Sequence, residues 1–187
     1  MIKEQLIRTV TIGILFLLGF WILDSCSGRR EIRKEMRAFV SDRIEVPDDM
    51  DCVDYDDIGQ YLDTAQRAKL IVYYDTLSCQ SCNVSHIGSL KPLIERSRKT
   101  GKFDVLVIFS PRPDESAEVT AQLMVMKLDF PVCVDTYSSF RRKNNFIPAD
   151  VRFHTFLVDR EGKPIFVGNP LDSDELSKLF DKALQKI

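Results

Sequence analysis

Two hydrophobic rhythms alternate along the second part of the chain. Near-continuous apolar runs over Lys69–Asp75 and Phe103–Ser110 are short and rich in Val, Ile, Tyr and Phe, as strands buried on both sheet faces are. Shorter runs of the same kind follow at 130–135, 151–159 and 164–167. Between them the pattern widens to helical spacing. One helix is predicted from Cys79 towards Arg98, interrupted at Gly88 and at Pro92, which should break or kink it. A second starts around Asp114, Glu115 and Ser116, with acidic residues suitably in its first turn, and ends near Leu128; a short one covers 138–144. Arg160-Glu161-Gly162-Lys163 reads as a hairpin turn, and Ser173 as the cap of a last helix with core face Leu176, Leu179, Phe180 and Leu184. The order β-α-β-α-β-α-β-β-α predicts an α/β fold, a mainly parallel sheet with helices on both faces, made mixed by the closing hairpin.

Upstream the pattern changes. Val10 to Leu23 is uncharged, follows Lys3 and Arg8, and is shorter than the roughly 20 residues that span a bilayer comfortably. That is the length of a signal-peptide core. A second reading is an uncleaved anchor helix starting near Leu6, with Arg8 at the interface. Phe16, Leu17, Leu18, Phe20, Trp21 and Ile22 leave the segment no polar face. Ile32, Met36, Phe39 and Val40 then predict an amphipathic helix over Glu31–Asp42, and Ile44–Pro47 an extended piece. Residues 48–68 are acidic; Ile58, Tyr61, Leu62 and Ala65 could share a helical face there. The expected organisation is a signal peptide or anchor over 1–25, a membrane-proximal helix and acidic linker over 26–68, and one domain over 69–187.

Composition adds little beyond size. A net charge of -2 gives no reason to expect nucleic acid as a partner, and the basic residues from Arg29 to Arg37 read as a solvated helix face. The five cysteines add more. Cys79 and Cys82 stand where a strand hands over to a helix. There the unpaired N–H groups favour a thiolate on the first, and the second lies one turn on, within reach of a disulfide. Asp75 and His86 are the nearest candidate proton acceptors. Cys133, mid-strand among apolar residues, is expected to be an inert core residue; Cys52 is either free or the partner of another thiol. Two thiolates with His86, four residues after Cys82, would suit a soft ion such as Cu(I). Thr76, three residues before Cys79, has a spacing compatible with a peroxidatic cysteine, a reading the second cysteine disfavours. No cofactor is called for.

Leu23-Asp24-Ser25-Cys26 resembles the lipobox of bacterial lipoproteins, with Asp24 departing from the usual small residue. The resemblance implies lipid on Cys26 and an extracytoplasmic, membrane-anchored body. Four cysteines then remain, an even number for an oxidising compartment. From Lys69 onward the chain resembles the thioredoxin fold. The likeness is to its membrane-anchored thiol–disulfide oxidoreductases and the related peroxiredoxin-like proteins. Three stretches carry it: Cys79-Gln80-Ser81-Cys82, Phe130-Pro131-Val132-Cys133-Val134-Asp135, and Thr155 to Lys163 with its Asp-x-x-Gly turn. It implies Cys79 as nucleophile and Cys82 as resolving thiol, acting on protein thiols or disulfides of an extracytoplasmic partner. Two positions depart from that family. Ser78 replaces a common aromatic, and Phe153 or His154 replaces a cis-proline. A cis bond to a non-proline residue costs about 2.5–4 kcal/mol, so a trans peptide is expected. These departures keep two alternatives open: a non-catalytic scaffold lipoprotein with a structural disulfide, and a Cu(I) site of Cys79, Cys82 and His154.

Overall fold

The computed structural model describes residues 30–53 and 67–187. The chain divides into two compact units, Met1–Ala38 and Phe39–Ile187. In the first, residues 30–38 are helical, as the pattern predicts; the helix (α1, 30–41) has its last turn in the second unit. The expected apolar stripe is not a buried one. Phe39 is fully buried, whereas Ile32 and Val40 are exposed.

The second unit is built on one six-stranded sheet in the order β1-β4-β3-β2-β5-β6. β2 (Ala68–Tyr74), β3 (Phe103–Phe109) and β4 (Val132–Val134) run parallel. β5 (Thr155–Val158) is antiparallel to β2, and β6 (Pro164–Val167) to β5. β1 (Asp51–Val53) pairs antiparallel with β4, so the sheet begins well before Lys69, inside the acidic stretch. The arrangement is thioredoxin-like, with the mixed sheet that the sequence implies.

Side chains alternate cleanly across this sheet. Leu70 and Val72, Val105 and Val107, and Leu157 share a core with the helices α2 (Gln80–His86), α3 (Lys91–Thr100), α4 (Ser116–Val125) and α6 (Asp174–Leu184). The alternate residues face the other side. There Phe39 meets Phe156 edge-on at 5.1 Å, and Tyr73 meets Phe140 of α5 (Ser139–Lys143) at 5.0 Å.

The helix predicted from Cys79 to Arg98 is interrupted at Gly88 as expected: it ends at His86, tightens to a 3-10 turn over Ile87–Leu90 and restarts at Lys91. Three local expectations change. Pro92 sits in the first turn of α3, where its missing N–H breaks no bond, and kinks nothing. Val151–Phe153 is a 3-10 turn and not the start of a strand. The Asp150 carboxylate accepts the Arg152 N–H at 3.0 Å, and this local cap outweighs the apolar alternation. In α6 Ser173 caps as predicted, accepting from the Leu176 N–H, but Ala183 joins Phe180 and Leu184 inside while Leu179 is exposed.

The segment Ile44–Pro47 is pinned at two points. Ile44 N–H donates to Gly162 O at 2.8 Å, and Asn144 brackets Glu45 with two bonds of 2.8 Å. Gly162 is required there. Its φ is +81°, and a Cβ would lie 2.5 Å from Ile44 O.

Candidate active site

β2 ends at Tyr74, and the turn that follows is organised by Asp75. Its Oδ1 accepts the N–H groups of Leu77 at 3.0 Å and Ser78 at 3.1 Å, an Asx-type turn. The Ser78 hydroxyl donates to Asp75 O at 2.7 Å and accepts from Asn83 Nδ2 at 3.1 Å and Gln80 Nε2 at 3.2 Å. Gln80 Nε2 also reaches Asp75 O. Ser78 is thus the polar hub of the turn. Gln80 is drawn inside, 4% exposed, and the cysteines on either side of the turn's first helical step face outward. Cys79 is the N-cap of α2, and its carbonyl accepts the Asn83 N–H at 3.0 Å.

Cys79 and Cys82 form a disulfide with Cα atoms 5.3 Å apart, and both residues are exposed. A second disulfide joins Cys52 to Cys133, and this corrects the expectation that Cys133 is an inert thiol. The two residues are register partners across β1 and β4, so strand pairing itself brings them together. Cys133 is 0% exposed and Cys52 only half-buried. The two bonds therefore differ in access: one lies on the surface and the other within the sheet.

Beside the exposed pair is a pocket of about 450 Å3. Ser78 and Asn83, the residues that bracket the cysteine motif, line it together with Tyr74, Asp75, His154 and Asn169. Leu77 and Val151 stand at its exposed edge. Such a position, outside the carboxyl end of a central parallel strand, is where open α/β sheets bind ligands. His154 is 3% exposed. Its Nε2 lies 2.8 Å from Pro148 O, which can only accept, so Nε2 carries the proton. Its Nδ1 faces Asp75 Oδ2 at 3.9 Å. The described residues contain no cis peptide, in line with the expectation at Phe153 and His154.

Beneath the pocket, burial raises the Tyr73 and Tyr74 phenols above their ordinary value, so both stay neutral hydrogen-bonding groups. Nearby, the Ser110 hydroxyl donates to Asp135 Oδ2 at 3.0 Å. Asp135 in turn accepts the Ser139 and Phe140 N–H groups at 2.7 and 2.9 Å. The Asp that closes β4 is a structural cap for α5.

The structure gathers some of the expected residues and separates others. Asp75 and His154 come together; His86 is exposed at the end of α2 and lines no part of the pocket. Thr76 is exposed. Among the described residues, no three His, Cys, Asp or Glu side chains are grouped as a metal site would need, so Cys79, Cys82 and His154 are not assembled as the Cu(I) alternative requires. Cys26, the lipobox and the helical face of Ile58, Tyr61, Leu62 and Ala65 lie outside the described residues. Sequence reasoning missed the roles of Ser78, Gln80 and Asn83. Asp75 followed by Ser78 carries an Asx-turn signal, but the two amides gave none.

No protein-family model and no curated protein matches the chain. Solved structures are similar to it. A protein assigned as the thiol:disulfide interchange protein DsbE from Chlorobium tepidum is 19% identical, covering 65% of this chain and 83% of its own, at a TM-score of 0.45. An uncharacterized thioredoxin-like protein from Porphyromonas gingivalis is 15% identical, covering 65% and 76%, at 0.46. AhpC of Mycobacterium tuberculosis is 17% identical, covering 75% and 95%, at 0.42.

Proposed function

We propose that the protein carries out thiol–disulfide exchange through Cys79 and Cys82. One observation carries the reading. Of the two disulfides among the described residues, this is the one whose cysteines are both exposed, and its flanking residues Ser78 and Asn83 line a pocket. Exposed disulfides are the labile ones, and buried disulfides resist reduction. In the reduced protein the Cys79 thiolate attacks a disulfide R–S–S–R, forming a Cys79–S–S–R bond and expelling RS⁻. The Cys82 thiolate then attacks Cys79 Sγ, closing the intramolecular disulfide and expelling the second RS⁻. Two electrons pass from the dithiol to the substrate, and the two thiol protons leave on the products.

Residues 1–26 support an extracytoplasmic setting, with the body tethered through lipid on Cys26 or through the apolar run itself. Mass spectrometry of the membrane-extracted protein tests this: a lipidated Cys26 at the N-terminus is expected for the first, and an unprocessed N-terminus refutes it.

The exchange reading is tested by trapping. Cys82→Ser, treated with hydroxyethyl disulfide, should accumulate a mixed disulfide on Cys79. Cys79→Ser should accumulate far less. An absence of adduct on either variant refutes exchange, and a preference for Cys82 reverses the assigned roles. Insulin reduction by the parent then measures whether a protein disulfide is accepted.

A further inference from the structure

The pocket holds an unusual pairing. His154 has its proton on Nε2, committed to Pro148 O, so neutral His154 presents Nδ1 as an acceptor. Asp75 Oδ1 is spent on two backbone N–H groups, which leaves Oδ2 as the second acceptor. These two acceptors face each other at 3.9 Å, too far for a direct hydrogen bond, and their side chains are only 4% and 13% exposed. A donor nitrogen about 2.8 Å from each can sit over such a gap. An ammonium, with three donors and a positive charge, satisfies both at once.

Charge points the same way. Among the described residues lining the pocket, Asp75 is the sole carboxylate and none is Lys or Arg. Anionic thiols and disulfides meet no counter-charge here.

The backbone narrows the source of the ammonium. His154 N–H donates to Val151 O at 3.1 Å, and His154 O accepts from Tyr73 N–H at 2.9 Å. Both main-chain groups are consumed inside the fold, so an extended polypeptide cannot pair with this residue as an added strand. What remains, lined by the residues next to Cys79 and Cys82, is a cavity within the size range of small-ligand sites.

We propose that Asp75 and His154 form a subsite for the primary ammonium of a small aminothiol disulfide, placing its S–S bond at Cys79. The proposal rests on the exchange reading, and its test separates the two. The prereduced protein is mixed, in single-turnover experiments without added reductant, with cystamine, hydroxyethyl disulfide or dithiodipropionate. Each rate constant is divided by that disulfide's rate with dithiothreitol, which removes intrinsic reactivity. Cystamine should be favoured over the neutral disulfide by about tenfold, the scale of one charge-assisted hydrogen bond, and the dianion should be slowest. Asp75→Asn keeps the Oδ1 that holds the turn but replaces Oδ2 by a donor; the cystamine-to-neutral ratio should fall to about one. A ratio near one in the parent, or one unchanged in Asp75→Asn, overturns the subsite. A preference confined to a lysine-flanked peptide disulfide overturns the small-molecule assignment. If none of the disulfides reacts, the exchange reading fails by itself. The subsite is then judged by NMR titration of the oxidised protein with 1,6-diaminohexane, the unreactive isostere of cystamine. Shifts at Asp75 and His154 in the parent, absent in Asp75→Asn, support it; no shifts in the parent refute it.

Discussion

Cys52 and Cys133 oppose each other in register across the antiparallel pair β1–β4, and a disulfide joins them. The bond ties a three-residue edge strand to the sheet and closes a loop of sequence separation 81. In the chain-entropy account a loop of that size is worth about 4.5 kcal/mol. The double variant Cys52→Ala, Cys133→Ala should lose stability on that scale in urea unfolding under non-reducing conditions. A loss under about 1 kcal/mol would show that the bridge does not constrain the unfolded chain as that account requires.

The two disulfides should also separate chemically. Graded reduction followed by alkylation and peptide mass spectrometry should label Cys79 and Cys82 at low reductant. Cys52 and Cys133 should be labelled only at higher reductant or on unfolding, because Cys133 is fully buried. Simultaneous labelling of all four would remove the distinction in access on which the functional reading stands.

Gly162→Ala should destabilise the closing hairpin and the segment pinned to it. The substitution meets a positive φ and a backbone oxygen that has no side-chain freedom to move away. A loss of about 2 kcal/mol or more is expected in thermal or urea unfolding. An unchanged midpoint would mean that Ile44 moves freely from Gly162.

Asp104 provides a pH-dependent case. Burial raises its carboxyl above the ordinary value, against the opposing pull of Arg67 at 2.8 Å, and its Oδ2 has no partner among the described residues. A carboxyl whose folded pKa is raised favours the fold in its protonated form. Its contribution is therefore fully present below the unfolded value of about 3.9 and is lost as pH rises through the folded value. Asp104→Asn should accordingly be more stable than the parent at pH 7, and the difference should shrink as pH falls towards the ordinary carboxylate range. Urea unfolding at pH 7 and pH 4 measures this. A variant that is less stable at pH 7 would show that the Arg67 pair outweighs the burial.

Much of the fold was legible because buried strands have a strong local signature. β2, β3 and β6 fall within a residue of the apolar runs that announce them. The cysteine motif was legible for the same reason: strand, turn and helix are each short-range. Local signals that compete were harder to rank. Val151 to Phe153 is apolar enough for a strand, yet the carboxylate of Asp150 caps a tight turn there. In α6 the helical period is right but its phase is one residue off at Leu179, because burial depends on which face meets β6 and not on hydrophobicity alone.

By itself, then, the sequence determined the order of the main elements from Lys69 onward, the mixed α/β sheet and the place of Cys79 and Cys82 at the end of a central strand. Each depends on residues near one another in the chain. Tertiary structure alone decided that Cys52 pairs with Cys133, that Asp75 and His154 share a pocket, and that His86 does not. Cys52 and Cys133 are 81 residues apart and meet only through the register of β1 on β4. Asp75 and His154 meet only because β5 lies beside β2. Hydrophobic periodicity sets which face of an element is buried; the side chain it comes to rest against depends on strand order and register, which non-local pairing fixes.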